Sequence, residues 1–186
     1  VAPASVARHP ISDILRYLQI THRYYLDTRL LQIEYSIEKI LAATHLPVDR
    51  PTMVLARHFF ADYKVELTQH IMEEEARLFP YIKNLLQPPA DQYQLHRLLN
   101  SYSIQHFEDM HDSNVEDDLS MLRETLFSRL PEGGAFSLIN VLKRQISHLE
   151  HDLRVHALVE DEVLIPRAMK LEDHLKHQLS TLAGCN

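Results

Sequence analysis

Apolar residues recur every three or four positions over four long stretches of the chain, which is the spacing of one face of an α-helix. The first stretch runs from Pro10 to about Thr44, and the second from Pro51 to about Leu86. The third follows Pro88-Pro89 and carries apolar positions up to Leu126, and the fourth runs from Phe136 to about Leu182. No stretch shows the strict alternation of a strand. The pattern therefore predicts four long helices.

Turn-forming residues separate these stretches and leave only short loops between them. Prolines mark residues 45–51 and 88–89, and Pro-Glu-Gly-Gly occupies residues 131–134. Long helices joined by short loops pack as neighbours, so we expect an all-α, up-down-up-down four-helix bundle of about residues 10–182 within a single domain. Pro80 lies inside the second helix and predicts a kink or a short break there.

A short pattern, L-x2-H-x3-E-x3-L-[F/I]-P, occurs twice. The first copy consists of Leu67, His70, Glu74, Leu78, Phe79 and Pro80, and the second of Leu153, His156, Glu160, Leu164, Ile165 and Pro166. On a helix these steps place each histidine and glutamate on the apolar stripe. Burial of an ionised carboxylate is unfavourable unless something compensates its charge. Two such pairs therefore predict a shared metal ion.

The turns place one histidine of each helix at the same height. Residue 46 lies midway between His22 and His70 in the sequence. The midpoint of residues 70 and 111 is 90.5, and the midpoint of residues 111 and 156 is 133.5. Each midpoint falls in a predicted turn. The predicted layer consists of His22, His70, His111 and His156, with Glu74 and Glu160 one turn along, roughly 6 Å away.

The other histidines fall outside this layer. His45 lies roughly 35 Å from His22 along the first helix, and His106 and His151 are turned about 140° from the face of the nearest layer histidine. The remaining ones occupy distant, polar or terminal positions: His9, His58, His96, His148, His174 and His177. We interpret all of these as structural or solvated.

The predicted donor set is made of carboxylate and imidazole without thiolate, which favours iron, manganese or zinc. Six ligands exceed the four of a structural zinc site. They suit a dinuclear centre in which Glu74 and Glu160 bridge and each metal takes two histidines. Inward glutamate and histidine from four bundle helices are typical of a di-iron site. Such a centre has open positions for a small ligand such as dioxygen, nitric oxide or hydroxide.

Composition narrows the function classes further. The net charge of −7 argues against nucleic-acid binding by this segment. No run approaches 18 apolar residues, so we expect no membrane-spanning helix. The single cysteine, Cys185, excludes an internal disulfide and favours a reducing compartment, which predicts a cytoplasmic location.

These residues resemble the hemerythrin-like (HHE) cation-binding family, and most closely the di-iron proteins that repair iron–sulfur clusters. The resemblance extends from about residue 22 to 169. It rests on residues 70–74 with 78–80, on His111-Asp112, and on residues 156–160 with 164–168. It implies two non-haem irons, oxo- or hydroxo-bridged, that act on or sense iron, dioxygen or nitric oxide under oxidative or nitrosative stress, with iron–sulfur proteins as partners. In this interpretation one iron is held by His22 and His156, the other by His70 and His111, and the bridges are Glu74 and Glu160.

Two departures from the family pattern argue against an oxygen carrier. Such a carrier would have a second histidine four residues from His111, where this chain has Phe107 and Val115. It would also pair the histidine of the fourth helix with an aspartate at a spacing of five, whereas Glu160 lies at four. Repair proteins usually carry a small cysteine-bearing domain before the bundle, and these residues do not contain one. This third departure argues against a repair role and leaves the metal site unaffected, and a flanking domain outside these residues stays open.

Residues 21–29 resemble hemerythrin-like domains attached to helix-turn-helix transcription regulators. The alternative function is therefore a metal-binding sensor domain whose DNA-binding part lies outside these residues. Neither hypothesis decides whether the protein is an enzyme.

Several residues near the motifs receive secondary interpretations. Tyr25 lies three residues from His22 and either lines a ligand pocket or belongs to the core. Tyr81, beside Pro80, is expected to be exposed and able to pack against a partner, for instance in a homodimer. Four acidic residues point off the stripe and are expected to be solvated or to support the ligands indirectly: Glu73, Glu75, Asp161 and Glu162.

Overall fold

The computed structural model describes residues 3–43, 50–110, 119–124, 128 and 138–183. Within these ranges the backbone is helical apart from short connections and contains no strand, which confirms the all-α prediction. The helices are α1 (Pro3–Val6), α2 (Ile11–Tyr24), α3 (Leu30–Ala42), α4 (Arg50–Glu73), α5 (Phe79–Leu86), α6 (Gln92–Ser101), α7 (Ile104–Met110), α8 (Leu138–Val159) and α9 (Ile165–Ala183). Residues 119–124 are also helical. No helix in the described ranges combines the length and apolarity of a membrane span.

Three five-residue π-helical turns connect consecutive helices without interrupting the helical path. They are Tyr25–Arg29 between α2 and α3, Glu74–Leu78 between α4 and α5, and Glu160–Leu164 between α8 and α9. After each turn a backbone N–H reaches the carbonyl five residues earlier, from Leu30 to Tyr25, from Phe79 to Glu74 and from Ile165 to Glu160. This is the hydrogen-bond step of a π-helix, which is rare and is often found at functional sites.

The predicted short break near Pro80 is a change of hydrogen bonding, because the α-helix ends at Glu73 and resumes at Phe79 after the π turn. In a regular α-helix the proline ring would clash with the carbonyl four residues before it, and its missing N–H would leave that carbonyl without its bond. Here the π turn that ends at Leu78 moves the hydrogen bonds one residue further back just before the proline. The helix therefore continues through Pro80 to Leu86. Pro166 follows the turn Glu160–Leu164 in the same way.

The third predicted helix is divided within its first half. Tyr102, at the end of α6, has an extended backbone with φ −158° and ψ 160°. Side chains compete with the helix there, because Ser101 Oγ donates to the Leu98 carbonyl at 2.7 Å. Ser103 Oγ then accepts the His106 N–H at 3.4 Å, which caps the start of α7. The predicted turn at residues 131–134 and most of the first predicted loop lie outside the described residues.

One compact unit comprises Val1–Gln19, Met72–Asp112 and His156–Asn186. Its core is formed by α2, the second π turn, α5, α6, α7, the end of α8, the third π turn and α9. The members with almost no exposed surface include Leu18, Leu78, Phe79, Ile82, Ile104, Leu164 and Ala168. At the surface of this unit Arg167 Nη1 donates to the carbonyls of Ala7, at 3.2 Å, and His9, at 2.7 Å.

The other compact unit comprises Ile20–Ile71 and Ser113–Val155. Its core packs α3 and α4 with residues 119–122 and α8, and includes Ile33, Ile37, Phe60, Tyr63, Leu119, Leu142 and Ile146. Tyr25 is buried in this core and donates its hydroxyl to the Asp152 carbonyl at 3.0 Å. Of the two interpretations of Tyr25, the structure therefore supports the core residue.

Candidate metal centre

The glutamates of the two motif copies are buried and begin equivalent turns. Glu74 is 0% exposed and is the first residue of the second π turn. Glu160 is 4% exposed and is the first residue of the third. The flanking apolar positions of the motif explain this burial, since they lie on the same helix stripe and are themselves buried: Leu67, Leu78, Phe79, Leu153, Leu164 and Ile165.

His22, Glu74 and His156 bring their ligand atoms together. Each residue offers one such atom, and these atoms all lie within 4.8 Å of one another. All three side chains are buried, with exposed fractions of 2%, 0% and 6%. A group of this kind could hold a metal ion.

Glu160 lies next to the same histidine. His156 Nε2 and Glu160 Oε2 are 3.6 Å apart, one helical turn from each other along the chain. The side chains of both residues are almost completely withdrawn from solvent. Glu160 is thus a further buried carboxylate beside the grouped residues.

The chemistry of these donors fits a metal ion such as iron, manganese or zinc, which favour imidazole and carboxylate. Glu74 and Glu160 are carboxylic acids that are ionised near neutral pH in water. Burial of an ionised carboxylate beside imidazoles is favourable when a cation occupies the site. The chemistry of these buried side chains is therefore compatible with a bound cation.

Burial distinguishes the predicted ligand histidines from most of the others. His22 and His156 are buried, and His70 is half-buried and is not among the three grouped residues. The remaining histidines in the described ranges are exposed: His9, His58, His96, His106, His148, His151, His174 and His177. His111 and His45 lie outside the described residues, so the layer of four histidines stays a prediction.

The acidic neighbours of the motif glutamates lie where their off-stripe positions predict. Glu73, Asp161 and Glu162 are exposed, and Glu73 forms an ion pair with Arg77 at 3.2 Å. Glu75 is half-buried and accepts a hydrogen bond from Gln19 Nε2 at 2.6 Å.

The expectation that Tyr81 is exposed is wrong. Tyr81 is 4% exposed, and its hydroxyl donates to Glu172 Oε1 at 2.6 Å. Sequence reasoning missed Glu172 because it lies in the polar end of the last helix. The spacing of Ala168, Glu172 and Leu175 places it on the buried stripe, and this spacing was the only clue to its burial.

Two tyrosines of the same compact unit have raised pKa values. Burial raises the pKa of Tyr102 to about 12, and the negative charges of Glu73 and Glu74 add to this while Arg77 opposes it. Burial also raises the pKa of Tyr81, together with its hydrogen bond to Glu172 and the charge of that carboxylate. Both phenols therefore stay protonated in the folded protein well above neutral pH.

Two curated proteins align with most of the chain. Both are named iron-sulfur cluster repair protein YtfE, one from Pectobacterium carotovorum subsp. carotovorum (strain PC1) and the other from Pectobacterium atrosepticum. Each is 29% identical over 167 residues, which cover 88% of this chain and 68% of the relative. No family model matches the chain. No solved structure matches it either. The chain is thus similar, over most of its length, to proteins named for the repair of iron–sulfur clusters.

Proposed function

We propose that this chain is a non-haem di-iron protein with the hemerythrin-like four-helix bundle, which acts on or senses iron, dioxygen or nitric oxide in the cytoplasm. In this role it resembles the iron–sulfur cluster repair proteins that act under oxidative or nitrosative stress. The observation that carries the proposal is the buried group of His22, Glu74 and His156. The similarity to two proteins named for cluster repair supports it independently.

Six residues would hold the two irons. His22 and His156 would bind one iron, His70 and His111 the other, and Glu74 and Glu160 would bridge them. The grouping of His22, Glu74 and His156 supports the first half of this assignment, because it joins the two histidines of one iron to one bridge. Iron bound there would supply open coordination positions for a small ligand.

Apolar side chains would select which ligands reach these donors. Leu78, Phe79, Val159 and Leu164 flank the two glutamates along the chain and are fully buried. Such surroundings exclude water and disfavour charged solutes, because a charge loses its hydration on entering them. Dioxygen and nitric oxide are small and uncharged and lose little hydration, so the setting suits them as ligands.

Repair and ligand binding can be tested with one preparation. The protein is loaded anaerobically with ferrous iron, titrated with nitric oxide, and incubated in parallel with a protein whose [4Fe–4S] cluster has been damaged by peroxide. We expect a nitrosyl absorption that saturates in proportion to bound iron, and recovery of the cluster only with the loaded protein. Glu74→Ala is the inactive comparison, and Glu73→Ala changes the exposed neighbour as the matched control.

The outcomes separate the parts of the proposal. Nitric oxide binding without cluster recovery would contradict repair and leave ligand binding in place. Equal cluster recovery with Glu74→Ala and with the unchanged protein would contradict a role for this site in repair.

A further inference from the structure

A buried acidic residue other than the motif glutamates binds a phenol in the first compact unit. Glu172, on α9, is 3% exposed. Tyr81 Oη lies 2.6 Å from its Oε1, and Lys176 Nζ lies 3.1 Å from its Oε2. A separation of 2.6 Å is typical of a hydroxyl that donates to an ionised carboxylate. The phenolic proton of Tyr81 therefore already points at a base that can accept it.

Neighbouring aromatic rings, tilted against each other, extend from Tyr81 towards the surroundings of Glu74. The ring centroids of Tyr81 and Tyr102 are 5.0 Å apart, and those of Tyr102 and Phe107 are 6.4 Å apart. Tyr102 in turn lies close enough to Glu73 and Glu74 for their charges to act on its phenol. Electron exchange between the two tyrosines is favoured because their rings are in direct contact.

The two phenols differ in what their hydroxyl groups contact. The Tyr102 hydroxyl is buried, and no hydrogen-bond partner for it exists among the described residues. The Tyr81 hydroxyl donates to the Glu172 carboxylate. Removal of an electron alone would leave a cation in a desolvated interior, which is strongly unfavourable. An oxidising equivalent that reaches these rings therefore comes to rest on Tyr81, where the proton can leave with the electron.

We propose that Tyr81 and Glu172 form a proton-coupled redox pair, with Tyr102 as the ring through which the oxidising equivalent arrives. A one-electron oxidant, of the class generated from hydrogen peroxide, takes one electron from Tyr81. The phenolic O–H bond breaks as an O–H bond forms at Glu172 Oε1. The products are a neutral phenoxyl radical, a neutral carboxylic acid and the reduced oxidant. A one-electron reductant of the thiolate class returns the electron, and the proton moves back to Tyr81.

Lys176 binds the other oxygen of the acceptor carboxylate. Its side chain is 45% exposed, and its Nζ lies 3.1 Å from Glu172 Oε2, one helical turn along the chain. The Glu172 carboxylate is thus contacted on one oxygen by Lys176 and on the other by Tyr81. The pair would carry oxidising equivalents away from the buried histidines and glutamates, and it does not require a bound metal.

The pair is tested in the metal-free protein, so that its failure is independent of the proposed iron site. Photo-oxidised tris(bipyridine)ruthenium(III) serves as the oxidant, and the radical is followed by freeze-quench electron paramagnetic resonance in H2O and D2O. Tyr81→Phe removes the phenol and Glu172→Gln removes the base at nearly constant size. Tyr93→Phe, at a tyrosine that is 70% exposed, is the matched control.

We expect a persistent tyrosyl radical that Tyr81→Phe abolishes and that Tyr93→Phe retains. Glu172→Gln should slow its formation at least about tenfold, as expected for the loss of a hydrogen bond to a charged acceptor, and should remove the solvent isotope effect. A persistent radical of unchanged amplitude in Tyr81→Phe would overturn the proposal. So would a radical in the unchanged protein that forms at the same rate in H2O and D2O, a result that needs no variant to fold.

Discussion

The two copies of the motif agree at their glutamates and differ at their histidines. Glu74 and Glu160 are both buried, and both begin a π turn that is followed by a proline. His156 is buried and lies 3.6 Å from Glu160, whereas His70 is half-buried. The apolar positions of both copies are buried alike. The two copies are thus alike in backbone conformation and in the burial of their glutamates, and they differ in the burial of their histidines.

The copies also diverge directly after the proline. Tyr81 follows Pro80 and donates to the buried Glu172. Arg167 follows Pro166 and donates to two backbone carbonyls at the surface. Both copies therefore contain the same π turn, but the residue after the proline differs. It is a buried phenol in the first copy and an arginine bound to surface carbonyls in the second.

The largest effect on metal content is expected from substitution of the two buried glutamates that the copies share. Glu74→Ala and Glu160→Ala should each lose both irons, because each of these carboxylates would bridge both metals in the proposed centre. Metal per chain after anaerobic loading is the measurement. Glu73→Ala and Glu162→Ala change exposed neighbours in the two copies and should keep the metal. Full metal content in either motif variant would break the equivalence of the two glutamates.

The histidines should show the asymmetry. His156→Ala is expected to weaken iron retention at least about tenfold more than His70→Ala, since a half-buried ligand position can be refilled by water and a buried one cannot. Competition with a chelator measures both. His151→Ala and His58→Ala alter exposed histidines of the same two helices and should have no effect. Equal losses in His70→Ala and His156→Ala would show that the difference in burial does not matter.

His45→Ala tests the height argument separately. It should retain metal, because the sequence predicts His45 to lie far from the layer of histidines. Loss of metal in this variant would show that the equal-height prediction is wrong.

Substitutions of the residue after each proline should have different effects on the unfolding free energy at alkaline pH. The folded-state pKa of Tyr81 is raised above its ordinary value of 10.0, so its contribution to stability is fully present below pH 10 and is lost as the pH rises above it. Tyr81→Phe should therefore flatten the fall of the unfolding free energy above pH 10, measured by urea denaturation. Arg167→Ala should leave that slope unchanged, and an unchanged slope in Tyr81→Phe would contradict the buried phenol.

The smallest effect is expected at the prolines themselves. In Pro80→Ala or Pro166→Ala the chain regains an N–H, worth about 1 kcal/mol if it finds a carbonyl. The unfolded state meanwhile gains conformational freedom worth about 0.4–1 kcal/mol. The two terms nearly cancel, so the unfolding free energy should change by less than about 1 kcal/mol. A much larger loss would show that the π turns depend on their prolines.

The sequence predicts the helices well where apolar residues recur on one buried face. It predicts them poorly where the hydrogen-bond pattern of the backbone departs from that of an α-helix. The end near Leu86 and the start near Pro51 follow from periodicity and proline chemistry. The π turns could not be predicted, because each shifts the hydrogen bonds by one residue while leaving the apolar pattern in place. The turn at residues 25–29 is not followed by a proline, unlike the other two. The division at Tyr102 depends on competing serine side chains, whose effect periodicity does not record.

The candidate site is predictable to the extent that its residues lie on apolar stripes. Glu74, Glu160 and His156 were identified in this way, and His22 by its height relative to the turns. The half-burial of His70 depends on packing between helices, which the spacing of one helix does not determine. Glu172 was missed because a charged residue in a polar stretch resembles a solvated one. Its burial becomes predictable only when the apolar residues on the same helix face are considered.

Metal analysis with an absorption spectrum of the anaerobically purified protein tests the central claim most directly. A pair of irons in each chain, with the charge-transfer band of an oxo bridge after exposure to air, is the predicted result. A single zinc per chain, or no metal in freshly reconstituted protein, would contradict the account.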